Sequence, residues 1–412
     1  MRLFYSIGIY LASSIIKVLA LFNRKLKIGV VGRKQTFIRL ADSVKPSDKV
    51  FWFHCASLGE YEQGLPVFKA LKTKYPNYKI VLSFFSPSGY EVRKNTDLAD
   101  TVVYLPLDTK ANANRFLDLV HPDYIIFVKY EIWPNFLLEM KKRRLKAILI
   151  SAVFRENQSF FKWYGSLMRA ALTAFDHIFV QDENSKTLLQ QINYHKTTIS
   201  GDTRFDRVLS QLNQDNAVRF IENFIDGKTC IVFGSTWPKD DALFMNFINR
   251  NNDENLKFII APHDLKANYI TAIKSQLNDS TISYSDRHED EKLAKAKVFI
   301  LDTIGYLNKV YSYAQIAYVG GAAGTTGLHN VLEPAVFGIP VIIGKNYDKF
   351  PEAKSLVKLG GITSVASAVE FEFAISELLS NKPKLRKQGA INSDFIAKNR
   401  GAVVQIVDYI RI

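Results

Sequence analysis

The chain has few of the residues on which secreted and metal-dependent proteins rely: its 412 residues include two cysteines, Cys55 and Cys230, and seven histidines. Two cysteines so far apart in sequence build neither a disulfide framework nor a zinc cluster, which points to a reducing cytoplasm. No His-x-x-x-His pair stands near carboxylates, so no metal site is expected. A comfortably membrane-spanning run is missing too. The uninterrupted apolar stretch Leu3 to Ile16 holds about 14 residues where a spanning helix needs roughly 20, and Lys17 interrupts its continuation. There is no low-complexity segment. What is present is a 47% hydrophobic composition, enough for substantial cores in two or more domains.

Acidic residues are scarce at one end in particular. Residues 1 to 50 hold ten Lys/Arg against two Asp/Glu, so +8 of the formal charge of +14 is local. A secretory signal would place a small-residue cleavage site after its apolar core, whereas here the chain turns basic at Arg24, Lys25, Lys27, Arg33, Lys34 and Arg39. Residues 1–24 therefore read as an uncleaved anchor helix lying in or partly entering the cytoplasmic leaflet. Arg24, Lys25 and Lys27 would sit on anionic lipid headgroups at about 1 kcal/mol each. The alternative is an N-terminal helix packed on the body. Nucleic acid is not expected as a partner, because no binding motif accompanies the charge.

Beyond the anchor, short apolar runs alternate with helical patterns. Val50 to His54, Lys79 to Phe84, Thr101 to Tyr104, Tyr124 to Val128, Ala147 to Ser151, His177 to Val180 and Thr197 to Ser200 read as strands of a parallel α/β sheet. A second series comprises Thr229 to Phe233, Leu256 to Ala261, Val298 to Leu301, Ile316 to Val319 and Pro340 to Ile343. The polar stretch 206–228 separates them. This predicts an N-terminal Rossmann-like domain over 25–210 and a C-terminal one over 211–412, with a last helix near 384–410 crossing back. Two Rossmann-like domains facing a cleft are the α/β architecture of a GT-B glycosyltransferase.

Residues 319–344 are the most informative segment. After the strand ending at Val319, glycines 320, 321, 324 and 327 and two threonines form a loop that leads toward a helical segment. A glycine loop aimed at a helix N-terminus brings backbone N–H groups and the positive end of the helix dipole to an anion. Glu333, one turn inside, could accept from sugar hydroxyls, which suits a nucleotide. The plainer alternative is a tight strand-to-helix turn.

Seven segments, in order, resemble a known family: Phe-His-Cys-Ala-Ser-Leu-Gly-Glu-Tyr-Glu-Gln-Gly (53–64), Tyr-Glu-Ile-Trp-Pro-Asn (130–135), Ser-Gly-Asp-Thr-Arg-Phe-Asp (200–206), Gly-Ser-Thr-Trp (234–237), Ala-Pro-His-Asp (261–264), Leu-Asp-Thr-Ile-Gly (301–305) and Gly-Leu-His-Asn-Val-Leu-Glu-Pro (327–334). The family is the 3-deoxy-D-manno-octulosonic acid (Kdo) transferases of lipopolysaccharide synthesis. The resemblance covers nearly the whole chain, including the anchor. It implies an inner-membrane monotopic enzyme on the cytoplasmic side, CMP-Kdo as donor, a phosphorylated lipid A precursor as acceptor, inversion at the anomeric carbon, and no metal or other cofactor in the transfer.

The resemblance gives Glu60 the role of general base. Its position after an apolar strand and a small turn places it at a helix start, where the dipole should lower its pKa and keep it ionised. Otherwise it is a charge that satisfies the dipole. Glu62, two residues on, points elsewhere. Glu131 and Arg204 match a glutamate and a lysine thought to support the transition state, and the alternative for each is a structural ion pair. Arg204 replaces a point charge with a planar fork. Lys129 stands where the family often has a second glutamate.

For the donor, the resemblance implies Ser235, Thr236, Pro262, His263, Ile304, Gly305, Tyr306, Gly327, Asn330, Val331, Leu332 and Glu333. His263 takes the place of a common arginine and Tyr306 of a common glutamate. Phosphate neutralisation is therefore expected from helix dipoles or a protonated His263. His329 is open between a structural hydrogen bond and donor contact. Rival readings are another membrane-associated GT-B nucleotide-sugar transferase, a nucleotide-sugar epimerase, or a non-catalytic membrane-held nucleotide-binding protein.

Overall fold

The computed structural model of the chain describes residues 1–129, 131–278, 280–287 and 290–411. Tyr130, the first residue of the 130–135 segment, lies outside the described residues. Among those described, fourteen strands form two parallel seven-stranded sheets. Contacts divide the chain into two compact units, Met1–Arg207 with Arg400–Ile412, and Val208–Asn399.

Unit 1 holds β1 (Val50–Cys55), β2 (Lys79–Phe84), β3 (Thr101–Tyr104), β4 (Tyr124–Val128), β5 (Lys146–Ala152), β6 (His177–Val180) and β7 (Thr197–Ile199) in the order β3-β2-β1-β4-β5-β6-β7. The order reverses between β1 and β4, which opens a crevice at their carboxyl ends. Strand β1 is buried along its whole length. Trp52 packs on one face with Phe116, Phe127 and Phe136, while Phe51 and Phe53 pack on the other with Tyr61 and Phe68. Burial on both faces is why this strand reads as a continuous apolar run rather than an alternating one.

Two N-terminal helices precede the sheet, α1 (Arg2–Leu19) and α2 (Arg24–Ser43). The 18 residues of α1 have a mean hydropathy of 1.4 and none is buried, so by length and composition this helix could cross a membrane. Leu3, Phe4 and Leu11 stand exposed along it. α2 lies on β3 at close range: a Cβ at Gly32 would come within 2.2 Å of the Tyr104 ring, so only glycine fits there.

The single helix expected over 384–410 is instead two. Lys382–Lys398 stays in unit 2, and Ala402–Tyr409 belongs to unit 1, where Ile406 and Ile410 join the core around Phe68 and Leu71. Gly401, at φ 109°, makes the break, and its N–H donates to Asp206 at 2.8 Å.

Unit 2 holds β8 (Thr229–Thr236), β9 (Leu256–Pro262), β10 (Thr281–Ser283), β11 (Val298–Ile300), β12 (Ile316–Val319), β13 (Val341–Gly344) and β14 (Ile362–Val365), ordered β10-β11-β9-β8-β12-β13-β14. The reversal falls between β8 and β12. The sequence patterns do not reveal β10 and β14. Both are short edge strands, Thr-Ile-Ser and Ile-Thr-Ser-Val, with too few apolar residues for a recognisable run. Two parallel Rossmann-like sheets with an N-terminal apolar helix make a GT-B-like fold.

Candidate active site

In unit 1 the predicted residues gather at the carboxyl ends of the sheet. Glu60 lies in the first turn of α3 (Leu58–Lys74), which follows β1, and Glu131 lies three residues beyond β4. Both therefore flank the crevice where the strand order reverses. Both are also nearly buried, at 6% and 8% exposure. Glu60 Oε2 accepts the Ser57 N–H at 2.8 Å and the Ser57 hydroxyl at 3.2 Å, so this carboxylate helps to cap its own helix.

The expectation that the helix dipole would depress the Glu60 pKa is overturned. Burial pushes the carboxyl above its ordinary value, and the nearby negative charge of Glu131 pushes the same way. The Ser57 N–H bond, Lys129 and His54 pull against them without prevailing. The result is a stronger base than an exposed glutamate. Glu62 does point elsewhere, pairing with Arg93 at 2.6 Å and Arg207 at 3.0 Å.

Glu131 is held from the side. The Trp133 indole N–H donates to Glu131 Oε2 at 3.0 Å and also faces His54 Nε2 at 3.2 Å. His54 is fully buried, with Nδ1 at 2.9 Å from the Ser83 hydroxyl and 3.2 Å from the Ser83 carbonyl. A proton on Nδ1 donates to that carbonyl and leaves Nε2 to accept from Trp133, so the partners assign the tautomer. His54 and Trp133 are neighbours of Glu131 to which sequence reasoning gave no role. The available signal was a histidine inside an otherwise apolar strand.

A lysine lies beside Glu60, with Arg204 near that lysine. Lys129, immediately after β4, adopts a left-handed backbone at φ 66°, and Ser151 at the end of β5 does so at φ 53°. Such residues concentrate where surrounding structure holds the backbone for function. Burial lowers the Lys129 ammonium pKa. Glu60 and Asp202 raise it, while Arg204 and Arg155 lower it. Arg204 sits in the helix Thr203–Ser210 after β7 and forms a fork on Asp202, with Nε at 2.8 Å and Nη2 at 2.7 Å from Oδ2. The Thr203 hydroxyl donates to the Gln63 carbonyl at 2.6 Å, tying that helix to α3.

In unit 2 the predicted donor residues occupy the carboxyl ends of four neighbouring strands, β11, β9, β8 and β12. Ser235 and Thr236 end β8, Pro262 ends β9 with His263 next, residues 304–306 follow β11, and 327–333 follow β12. Ser235 has φ 54°, at an irregularity in the pairing with β9. Thr236 is fully buried beside Asp241 and Tyr269, and its carbonyl accepts the His263 N–H at 3.0 Å, which ties the ends of β8 and β9 together. Val331 and Leu332 likewise have core side chains. Ile304 is 86% exposed and Gly305 has φ 98°, so this loop presents an apolar tip. Tyr306 packs edge-on against Phe220 at 5.3 Å. Asn330 Nδ2 donates to Glu333 Oε1 at 3.0 Å, holding that carboxylate.

The glycine loop differs from expectation. No sizeable helix begins at its end; residues 320–331 are irregular and the helix that follows, Leu332–Ala335, has four residues. Gly338 and Pro340 halt it. Two of the loop's donors are also committed internally. Asp240 is fully buried; its Oδ2 accepts the N–H groups of Gly321 at 2.8 Å and Trp237 at 3.0 Å, and its Oδ1 accepts the Tyr318 hydroxyl at 2.7 Å and the Ala323 N–H at 3.3 Å. The glycines serve close approach: a Cβ on Gly320 would meet the Ser235 carbonyl at 2.4 Å. The loop is thus seated on the end of β8 by a carboxylate that sequence reasoning passed over.

His263 and His329 also prove to be neighbours. The His263 ring stacks on Trp237 at 4.7 Å and lies 4.3 Å from His329, whose Nε2 accepts the Trp237 indole N–H at 3.1 Å. Burial, helped by His263, pushes the His329 pKa down to about 4. His329 is therefore neutral at pH 7 and serves as a hydrogen-bond acceptor.

A family profile described as 3-deoxy-D-manno-octulosonic-acid transferase (kdotransferase) matches residues 32–207, the stretch that carries Glu60, Glu131 and Arg204. Over that stretch the chain matches the Kdo transferase family. Members of this glycosyltransferase family align over most of its length. The 3-deoxy-D-manno-octulosonic acid transferase of Haemophilus influenzae is 26% identical over 392 residues, covering 89% of this chain and 87% of the relative. That of Chlamydophila psittaci is 29% identical over 321 residues, covering 76% and 73%. Among solved structures, the UDP-GlcNAc 2-epimerase from Neisseria meningitidis superposes with a TM-score of 0.62 at 17% identity, over 87% of this chain and 98% of that one. That likeness is one of fold alone.

Proposed function

We propose that the chain transfers Kdo from CMP-Kdo to a hydroxyl of a phosphorylated lipid A precursor, with Glu60 as general base and inversion at the anomeric carbon. The observation that carries this reading is the buried carboxylate pair Glu60 and Glu131 at the strand reversal of unit 1, with Lys129 beside Glu60.

In the proposed step the acceptor oxygen forms a bond to the anomeric carbon while the bond from that carbon to the CMP phosphate breaks. The hydroxyl proton passes to Glu60 and CMP leaves as a monophosphate. One direct displacement inverts the centre. The raised pKa of Glu60 suits it to take a proton that is lost only as the new bond forms. Glu131, fixed by Trp133, contributes the negative charge that keeps Glu60 basic, and Arg204 is assigned support of the transition state through its fixed positive charge.

Unit 2 is assigned the nucleotide. Ser235 and Thr236, Pro262 with His263, the 304–306 loop, Gly327 and Asn330 to Glu333 all lie at adjacent strand ends, the usual ligand position in such sheets. The apolar α1, followed by Arg24, Lys25 and Lys27, supports association with anionic lipids on the cytoplasmic face of the inner membrane.

The test is mass analysis of the product formed from CMP-Kdo and a lipid IVA-type acceptor. An acceptor mass increased by Kdo, with CMP released in equal amount for each Kdo added, is expected. An acceptor left unmodified by folded protein in the presence of lipid overturns the proposal.

A further inference from the structure

The first turn of α1 makes contacts that a membrane tether does not need. Most of its apolar residues stand exposed, Leu3, Phe4, Ile7, Leu11 and Ile15 among them, yet Arg2 and Tyr5, one turn apart on one face, reach into unit 1. The Tyr5 hydroxyl donates to Asp108 Oδ2 at 2.8 Å, and Arg2 Nε donates to Asn135 Oδ1 at 3.0 Å.

Asp108 and Asn135 are both fully buried, and together they fix the start of the helix Pro134–Lys142. Asp108 Oδ2 accepts the Asn135 N–H at 3.0 Å and Oδ1 accepts the Phe136 N–H at 2.9 Å, while the Asn135 side-chain amide donates to the Asp108 carbonyl at 2.7 Å. The residue preceding this helix, Trp133, makes no side-chain cap of its own, so Asp108 supplies the cap from the loop after β3. Trp133 is in turn the donor that holds Glu131 Oε2. Hydrogen bonds therefore run from α1 to Asp108 and Asn135, and the backbone through Pro134 joins that cap to Trp133 and its bond to Glu131.

We propose that Arg2 and Tyr5 of α1 are positioning residues for the Glu131–Trp133 segment, so that the membrane helix sets the rate of transfer as well as attachment. This rests on the reading of Glu131 given above. Burial drives the Asp108 pKa up, and bonds from Asn135, Tyr5 and Phe136, with the Arg2 charge, act against that rise. Loss of Arg2 and Tyr5 therefore weakens the cap in two ways: two contacts go, and the carboxylate they help keep ionised becomes easier to protonate.

The experiment uses the full chain on vesicles containing phosphatidylglycerol, with CMP-Kdo and a lipid acceptor. Tyr5→Phe removes one hydroxyl and keeps the ring; Arg2→Ala removes the second contact. The expected result is a kcat reduced about three- to tenfold for Tyr5→Phe, the kinetic equivalent of one ordinary hydrogen bond. KM for CMP-Kdo and vesicle binding should stay at parental values, and the protein should remain folded at the assay temperature. Asp108→Asn should lower kcat similarly, and Tyr5→Phe combined with it should lose less than the product of the two single effects. A Tyr5→Phe protein with parental kcat overturns the proposal, as does a loss that follows release from vesicles or unfolding, or full multiplicativity with Asp108→Asn. Failure of the functional reading is distinguishable, because in that case the parent protein itself transfers no Kdo.

Discussion

Glu60 Oε2 accepts both the backbone N–H and the hydroxyl of Ser57, at 2.8 and 3.2 Å. One oxygen is engaged in the helix start, and among the described residues Oε1 has no hydrogen-bond partner. In the proposed function, Oε2 keeps the helix start and Oε1 is the oxygen left to take the proton.

Replacing Glu60 by Gln keeps an acceptor for Ser57 and removes the ability to take a proton. Transfer should fall by on the order of 10²- to 10⁴-fold while the protein stays folded and still binds CMP. Turnover within about threefold of the parent, measured on purified folded protein, would exclude the base role.

The acid side of the pH–rate profile tests the same carboxylate pair. Glu60 acts only when deprotonated, and its pKa is raised, so kcat/KM should decline as pH falls through a value above the ordinary glutamate range. Glu131→Gln removes the charge that contributes to the rise. In that variant the remaining activity should show its acid limb displaced to lower pH, and an unmoved limb would contradict the assigned coupling.

Nucleotide selectivity tests unit 2. CMP and CTP should raise the melting temperature more than UMP or UDP at equal concentration, since at a given concentration the ligand with the lower Kd for the folded state stabilises it more. Equal protection by uridine nucleotides would count against a CMP-sugar donor.

Asp240→Ala should unseat the glycine loop. Four donors, on Trp237, Tyr318, Gly321 and Ala323, lose their acceptor, and a buried donor left unpaired costs about 1–3 kcal/mol. A fall in melting temperature of about 5–10 °C and loss of nucleotide protection are expected. Calorimetry with and without CMP checks both, and an unchanged melting profile would show that the loop is held by other means.

The stability of unit 2 should also depend on Asp241. Burial raises its carboxyl from 3.8 to about 6, so between these values the folded state binds more protons than the unfolded one. Stability therefore falls as pH rises through that window and changes little from this group above it. Asp241→Asn should flatten the corresponding part of a melting-temperature series from pH 4 to 7; a series that keeps the parental slope would assign the dependence elsewhere.

Most strands were legible in the sequence because parallel strands covered on both faces are continuous apolar runs, as β1, β4 and β12 show. The ordered motifs marked Glu60, Glu131 and Arg204, and with them the family, because those side chains lie in short segments that can be recognised without knowing what they face. The edge strands β10 and β14 and the break at Gly401 escaped because their residues carry no periodic signal of their own.

What tertiary structure alone decided is the set of relationships between segments distant in sequence. The chain by itself fixed a basic, apolar N-terminal helix, two alternating α/β series and a glycine loop. It could not show that Glu60 is raised rather than lowered, since a helix dipole is local whereas burial and the charge of Glu131, 71 positions later, arise only when β1 and β4 become neighbours. Nor could it show that Asp240 rather than a ligand takes the N–H groups of Gly321 and Ala323, or that Tyr5 meets Asp108. Hydrogen bonds and desolvation depend on which groups share a volume, and only the packed sheets determine that.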